Sequence, residues 1–471
     1  MGVEHLREMD KQLIGEIWTS DESWRNLVYL CDDLGHRFAG SQREHEAAAF
    51  LRDRMLAYGL DNVRLEAFPM ASWERGPCHL TVVSPLQRAL PSIAMPYCPS
   101  ATLEADVVDV GEGELPDFER LAEQIPGKVV LTDAETNRPG ERKSHRTDKF
   151  TWAIERGAVA CLFINQNPGQ LHITGSLSPR NPAGSGAADR EAAIPGIGLS
   201  YETGQALRRL AQRGSVRIRL ETRNRTFESV SYNVVGEITG TGYPHEIVLV
   251  GGHYDGHDIS QGAGDNGAGT VVGLEAGRAL GRLKGQLRRT VRVICFGAEE
   301  LGLLGAWHHA ALHAGPGSAQ RFRFVLNLDG AGRGAGGQEQ LTVSGLPELV
   351  AYFSAVARAL PYDLVIRNEL HSHSDHFPFA VRGIPNATLA SRDSTAGMVG
   401  RGWGHTEADT LDKVWLRSLQ MAAVLAARLV LRVSQDDGFP GRQRDQDEVR
   451  QQLADAGLLE RVQQAGRFPP V

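Results

Sequence analysis

At 471 residues, with 41% hydrophobic and 23% charged side chains, the chain has an ordinary globular composition and is long enough for two or more domains. Its net charge of −7, with no basic run, argues against a nucleic-acid partner held by its phosphates. No apolar run reaches membrane-spanning length, and the five cysteines (31, 78, 98, 161 and 295) lack the spacing of a disulfide framework or a thiolate metal site.

The opening stretch, MGVEHLREMDKQLIGEIWTS, is amphipathic and charged, with neither the apolar segment nor the cleavage site of a secretory signal. Leu6 stands where a myristoylation motif wants Ser or Thr. With the scattered thiols, this points to a cytoplasmic location. SDESWRNLVYLCDDLG and EHEAAAFLRDRMLAYGL then carry apolar residues at helical spacing, with Ser20 and Ser41 as candidate N-caps. NVRLEAFPM and CHLTVVSP read as strands.

Near residue 100 the composition changes to short strands and turns: ADVVDVG, GKVVLTD, AVACLFIN, GIGLSY and SVRIRLETR. They surround a Gly/Pro/Ser-rich loop, GSLSPRNPAGSGAADREAAIPG, and together suggest an inserted domain or lid. After residue 230, SYNVVGEI, EIVLVGGH, TVRVICFGA and FVLNLDGAG alternate with helical runs, which implies an α/β domain with a parallel or mixed sheet. In such sheets ligands gather beyond the carboxyl ends of the strands. The tail after residue 436 is charged and helical, and its sequence assigns it no role.

GAGDNG, Gly262 to Gly267, fits the dinucleotide pattern G-x-G-x-x-G, but it does not follow directly on a strand. Asp265 in its middle would also repel a phosphate. Around it, metal-competent side chains sit at or just past predicted strand ends: His253 and Asp255 in GGHYDG, Glu299 and Glu300 in FGAEELGLLG, and Asp329 in LNLDG, with His405 later in GHTEADT. Histidines and carboxylates without thiolates suit zinc or a similar divalent ion. His253, Asp265, Glu300, Asp329 and His405 are enough donors for a metal pair, and Glu299 remains as a carboxylate able to take a proton. Asp255 can accept the second imidazole N–H of His253 and fix its tautomer. Singly, each motif has an ordinary reading: HYD as a surface turn, EE as a solvated pair, Asp265 as a helix cap. Their joint order, at strand ends of one α/β unit, raises the metal reading beside these.

That order makes the sequence recognisable. LGHRFAGS, GGHYD, GAGDNGAGT, FGAEELGLLGA, LNLDG, SDHFPF, GIPNATL and HTEADT, over residues 20 to 435, resemble the co-catalytic dinuclear zinc exopeptidases. That group includes bacterial leucyl aminopeptidases, carboxypeptidase Q and glutamate carboxypeptidase. The resemblance implies a three-layer α/β/α mixed sheet of the zinc-exopeptidase (phosphorylase/hydrolase-like) type, with an inserted, smaller, β-rich protease-associated domain. The expected division is 1–100 as the N-terminal part of the peptidase domain, 101–228 as the insert, 229–435 as the catalytic domain and 436–471 as a helical tail.

By the same resemblance the chain binds two Zn2+ ions. His253 and Asp329 hold one, Glu300 and His405 the other, and Asp265 bridges them. Glu299 acts as general base through a metal-bound water, and Asp255 orients His253. The substrate is a peptide or dipeptide, with no nucleic acid or membrane partner, and relatives are often homodimers. No position of the metal motif is substituted, against the pattern of inactive relatives. His371, shortly before Ser374-Asp375, stands about where some relatives place a Tyr for the oxyanion; a structural or rim role for it is equally open, as for His373. Asp375 and Trp403 are expected to line the pocket. An aminopeptidase is the first expectation. A carboxypeptidase or dipeptidase is the alternative, for which Arg333, Arg392 or Arg401 is available to hold a terminal carboxylate. A non-catalytic peptide-binding protein with structural zinc, and a nucleotide-dependent enzyme using the glycine loop, are the readings from other classes.

Overall fold

The computed structural model describes residues 3–136, 144–177, 190–315, 318, 321–334, 338–360, 364–392 and 402–468. The chain falls into two compact units: residues 1–70, 230–394 and 409–471 form one, and residues 71–229 with 395–408 the other.

The first unit is built on an eight-stranded mixed sheet. Its strands are β1 (Asp61–Glu74), β2 (Arg225–Ile238), β3 (Tyr243–His253), β4 (Arg289–Phe296), β5 (Arg321–Leu328), β6 (Glu339–Val343), β7 (Val365–Asn368) and β8 (Asn386–Ser391), in the order β1-β2-β4-β3-β5-β8-β6-β7. β4, β3, β5 and β8 run parallel, flanked by antiparallel β2 on one side and β6 on the other.

Alternation along these strands feeds two separate cores, because successive side chains leave opposite faces of a sheet. Val248, Val250, Val291, Val293, Phe324 and Leu326 enter one cluster, where the helices Val3–Trp18, Ala268–Gly281 and Leu416–Gln435 supply Leu13, Leu274 and Leu429. Ile247, Leu249, Ile294, Phe296, Phe322 and Val325 enter the other, which the helix Leu304–His313 covers with Ala306 and Ala310. The result is the expected three-layer α/β/α arrangement. Ser41 caps the helix Gln42–Ala57 by accepting from the Glu44 amide; Ser20 accepts from Glu22 N–H at the entry to Glu22–Val28.

The tail belongs to this unit. Val449, Leu453, Leu458 and Val462, from the helices Gln446–Asp455 and Leu459–Gln464, pack with Leu303 and Phe377.

The second unit has its own eight-stranded sheet, with strands from residues 78–84, 88–90, 93–94, 101–109, 129–133, 160–164, 196–199 and 217–222. Cys78–Ser84 and Ala101–Asp109 both pair antiparallel with Arg217–Thr222, whereas Ala101–Asp109, Val129–Asp133, Ala160–Ile164 and Gly196–Leu199 form a parallel run. Helices Leu115–Arg120, Arg146–Glu155 and Tyr201–Ala211 make it a mixed α/β unit and not only a β-rich one. It begins upstream of the composition change near residue 100, because Cys78–Ser84 finds its partner beyond residue 216.

Candidate metal centre

Three parallel neighbours, β4, β3 and β5, end side by side, with His253 opposite Phe296 and Gly251 opposite Asn327. The next residues of each strand carry the acidic and imidazole groups. The backbones meet closely here: a Cβ on Gly252 would stand 2.2 Å from the Leu328 carbonyl oxygen, so only glycine fits.

Asn266 ties these ends together. Its amide Nδ2 donates to the carbonyls of Leu328 (2.8 Å) and His253 (3.3 Å), and its Oδ1 accepts from Gly330 N–H (2.9 Å). Thr270, a turn into the following helix, donates to the same His253 carbonyl at 2.6 Å. The glycine loop before it starts at Gly262, whose φ of 58° is left-handed. Its amides at Gly264 and Asp265 donate to the two oxygens of Asp409, at 2.7 and 3.0 Å. Burial and the charge of Asp265 push the Asp409 carboxyl up to about 6, against those two amide donors.

Arg37, from the LGHRFAGS stretch, is fully buried and spends its guanidinium entirely on backbone carbonyls. It donates to Tyr254 (2.7 Å), Leu30 (3.1 Å), Gly35 (3.0 Å), Gln261 (2.7 Å) and Gly262 (2.9 Å). The segment from Tyr254 to Gly262, which carries Asp255 and His257, is thus held at both ends by one side chain.

Within this frame His253 Nε2 lies 3.5 Å from Asp265 Oδ1 and 4.0 Å from Asp329 Oδ1. One donor atom each of His253, Glu299 and Asp329 fall within 4.8 Å of one another. Ligands of one tetrahedral zinc stand about 3.4 Å apart, so the 3.5 Å from His253 to Asp265 and the 4.0 Å to Asp329 are of the size that ligands of a shared ion show. Ser374 Oγ accepts from Asn327 and donates to Asp329 Oδ2 at 2.6 Å, which turns Oδ1 toward His253. His253 Nδ1 is 3.2 Å from the backbone oxygen of Asp255 and 3.5 Å from its carboxylate. That carboxylate accepts from Glu299 N–H (3.0 Å) and Glu300 N–H (3.1 Å), so one residue holds both the imidazole and the EE turn.

Asp255, Asp265, Glu300 and Asp375 are buried, and Glu299 and Asp329 half-buried. Burial raises Glu299 well above the usual carboxylate range, and Glu300, Asp375 and Asp329 add to this against the pull of His253. Burial also opposes charge on His253, yet Glu299, Asp255 and Asp265 outweigh it and raise the imidazole well above its ordinary value. Both oxygens of Asp375 are buried with no hydrogen-bond donor among the described residues. So many carboxylates around an imidazole, in low dielectric, are the electrostatic complement of multivalent cations. Oxygen and nitrogen donors without sulfur fit zinc.

One histidine here escaped the sequence reading. His257, 3% exposed, places Nε2 3.0 Å from Glu300 Oε2. HYDGHD reads as a turn, and only the return of the chain toward the EE turn reveals it.

The remaining candidates are placed as follows. His405 belongs to the second unit, where it is 4% exposed, with its Nδ1 3.1 Å from the Thr174 carbonyl. Trp403, on the same segment, accepts at its carbonyl from Thr406 N–H and Oγ. His371 is half-buried with its ring edge-on to His376 at 4.3 Å, and its carbonyl pairs with His376 Nε2. His373 is half-buried beside them. Arg333 packs beside Gly330, and Arg392 donates to Gln338. Arg401 and the SPRNPAGSG loop lie outside the described residues, as does most of SRDSTAGMVGRGWGH.

Two family models match the chain: Peptidase family M28 over residues 233–430 and PA domain over residues 99–207. Carboxypeptidase Q of Mus musculus is 28% identical over 317 residues, 66% of this chain and 65% of the mouse protein. The chain therefore aligns with just under two thirds of that relative's length. Aminopeptidase YwaD of Bacillus subtilis is 29% identical over 416 residues, 87% of this chain and 83% of its own. The crystal structure of BSAP, a zinc aminopeptidase from Bacillus subtilis, superposes with a TM-score of 0.67 at 26% identity, covering 89% of this chain and 96% of that one.

Proposed function

Because the chain belongs to peptidase family M28 and carries a PA domain, we propose that it is a zinc-dependent exopeptidase that removes N-terminal residues from peptides. The observation that carries this reading is the meeting of His253, Glu299 and Asp329 at adjoining strand ends, with Asp265 3.5 Å from the same imidazole.

In this reading His253, Asp265, Glu300, Asp329 and His405 are the residues that would hold two zinc ions. When bound, the pair supplies Lewis-acid polarisation of the scissile carbonyl and lowers the pKa of the attacking water. Glu299 takes the proton as the water attacks and delivers it to the leaving amine. Asp255 sets the imidazole and the EE turn in one register. Asp375 and Trp403 line the pocket, and His371 donates to the oxyanion.

The relatives named as aminopeptidases favour the amino end of the substrate: YwaD aligns over 87% of this chain and BSAP superposes over 89% of it. A carboxypeptidase or dipeptidase is the second reading, supported by the mouse relative's name. No helix among the described residues is long and apolar enough to cross a membrane. All five cysteines are free, which fits a reducing, cytoplasmic setting.

The test is hydrolysis of matched short peptides by the zinc-loaded chain. Cleavage that stops when the amine is blocked and survives a blocked carboxylate is the expected result. The reverse pattern makes it a carboxypeptidase.

A further inference from the structure

The ligand set implied by resemblance has five residues, and His257 is not among them. The geometry points to His257 as a sixth: a direct protein ligand of the ion held by Glu300. This rests on the zinc-peptidase reading above and concerns how unequal its two metal positions are.

His257 sits two residues after Asp255, on the segment that Arg37 clamps at Tyr254 and Gln261–Gly262. Asp255 fixes the Glu300 backbone from that same segment, through Glu300 N–H at 3.1 Å. His257 then meets the Glu300 side chain, with Nε2 3.0 Å from Oε2. One turn of chain therefore grips both the main chain and the carboxylate of a metal ligand. Imidazole and carboxylate atoms bound to a common zinc are separated by roughly 3–3.5 Å, so the spacing needs no rearrangement to admit an ion. Both side chains are buried, at 3% exposed for His257 and 7% for Glu300. The imidazole is therefore committed to this place and not to solvent.

The consequence is asymmetry. With His257, the Glu300 position has one protein donor more than the resemblance gives it, which makes four against three at the His253 position. Four protein ligands close a zinc site, whereas three leave it open for water or substrate. The His253–Asp265–Asp329 position keeps the open coordination place, so the Glu300 ion is the tightly held one and the His253 ion is the one that exchanges and meets the substrate.

The experiment uses the full chain, stripped of metal and titrated with zinc in competition with a chromogenic chelator, and in parallel with Co2+ followed by its visible d–d absorption. The intact protein is expected to bind two ions, one at least tenfold more tightly. His257→Ala is expected to weaken the tight ion by about 10–100-fold or more, since even a lost partner of a ligand costs that much. It should also change the Co2+ band of that ion while leaving the other as it was. Glu300→Ala marks which band belongs to the position. His257→Asn keeps a side chain able to hydrogen-bond Glu300 but is a poor ligand, and it is expected to behave as the alanine variant does; if the alanine variant does not fold, this one decides. Tight binding and an unchanged band in His257→Asn overturn the proposal and leave His257 as a hydrogen-bond partner only. An intact protein that binds no zinc instead overturns the zinc-peptidase reading itself.

Discussion

Replacing Arg37 by alanine removes one side chain and five hydrogen bonds at once. Each N–H of the guanidinium that reaches Tyr254, Leu30, Gly35, Gln261 or Gly262 makes a charge-assisted bond. Such bonds contribute roughly 1.5–3 kcal/mol each when counted singly. Their sum overstates the loss, because water entering the vacated space re-pairs part of the five carbonyls. A net destabilisation of about 4 kcal/mol is the expected size, in line with the roughly 3–5 kcal/mol for breaking a buried charged interaction. At roughly 2–4 °C per kcal/mol, the melting temperature of the catalytic unit should fall by about 8–15 °C. Arg37→Lys should recover little, since one ammonium with three donors cannot serve five separated carbonyls. Calorimetric melting of the metal-stripped chain measures this. The loss should also appear as lower zinc retention, because the clamped segment carries Asp255 and His257. If Arg37→Ala melts within about 2 °C of the parent, the guanidinium is not what holds the segment, and the reasoning fails.

Glu299→Gln should keep zinc bound and lose most of kcat; retained turnover takes Glu299 out of the chemistry. Asp409→Ala frees the Gly264 and Asp265 amides, and zinc content by elemental analysis should fall below two per chain, while an unchanged count would show that the glycine loop holds Asp265 unaided. Away from the centre, burial lowers the fully buried His309 from 6.5 to about 4, and Arg292 donates to its Nε2 at 3.2 Å while Nδ1 lies 2.6 Å from Glu66. The unfolded chain then takes up this proton first, so the contribution is intact above pH 6.5 and fades between 6.5 and 4, by about 3 kcal/mol in all. Urea unfolding of His309→Gln across that range should show a flatter slope than the parent, and an equal slope would mean that His309 is not the proton acceptor.

The strand ends were legible because central parallel strands read as unbroken β-branched and aromatic runs, as in TVRVICF and EIVLV, and the charged residues beyond them stand out. His253, Asp255, Glu299, Glu300 and Asp329 stood out that way, and Asp265 through its place in the glycine loop. His257 was not, since nothing local distinguishes HYDGHD from a solvated turn, and its meeting with Glu300 spans 43 residues. Arg37 lay within a recognised stretch, but its purpose depends on carbonyls more than 200 residues away. The side on which CHLTVVS falls was equally hidden: it is a good strand in either unit, and only its pairing with Arg217–Thr222 says which. Local pattern reports what an element is; distant partners decide where it goes.

The two long strands β1 and β2 lie next to each other in the catalytic sheet, yet all of the second unit's strands fall between them in the chain. During synthesis, β1 leaves the ribosome well before its neighbour β2, and the parallel strands that complete the sheet come later still. The intervening sheet draws every strand from residues 78–222, so its pairings close over shorter stretches of chain. Order of emergence therefore favours that unit organising first, while the N-terminal segment waits with apolar residues such as Leu13, Leu51 and Met55 uncovered. That interval is the stage at which nascent chains of this protein depend most on chaperones, and destabilising changes in residues 1–70 should show as lost yield before they show as lost activity.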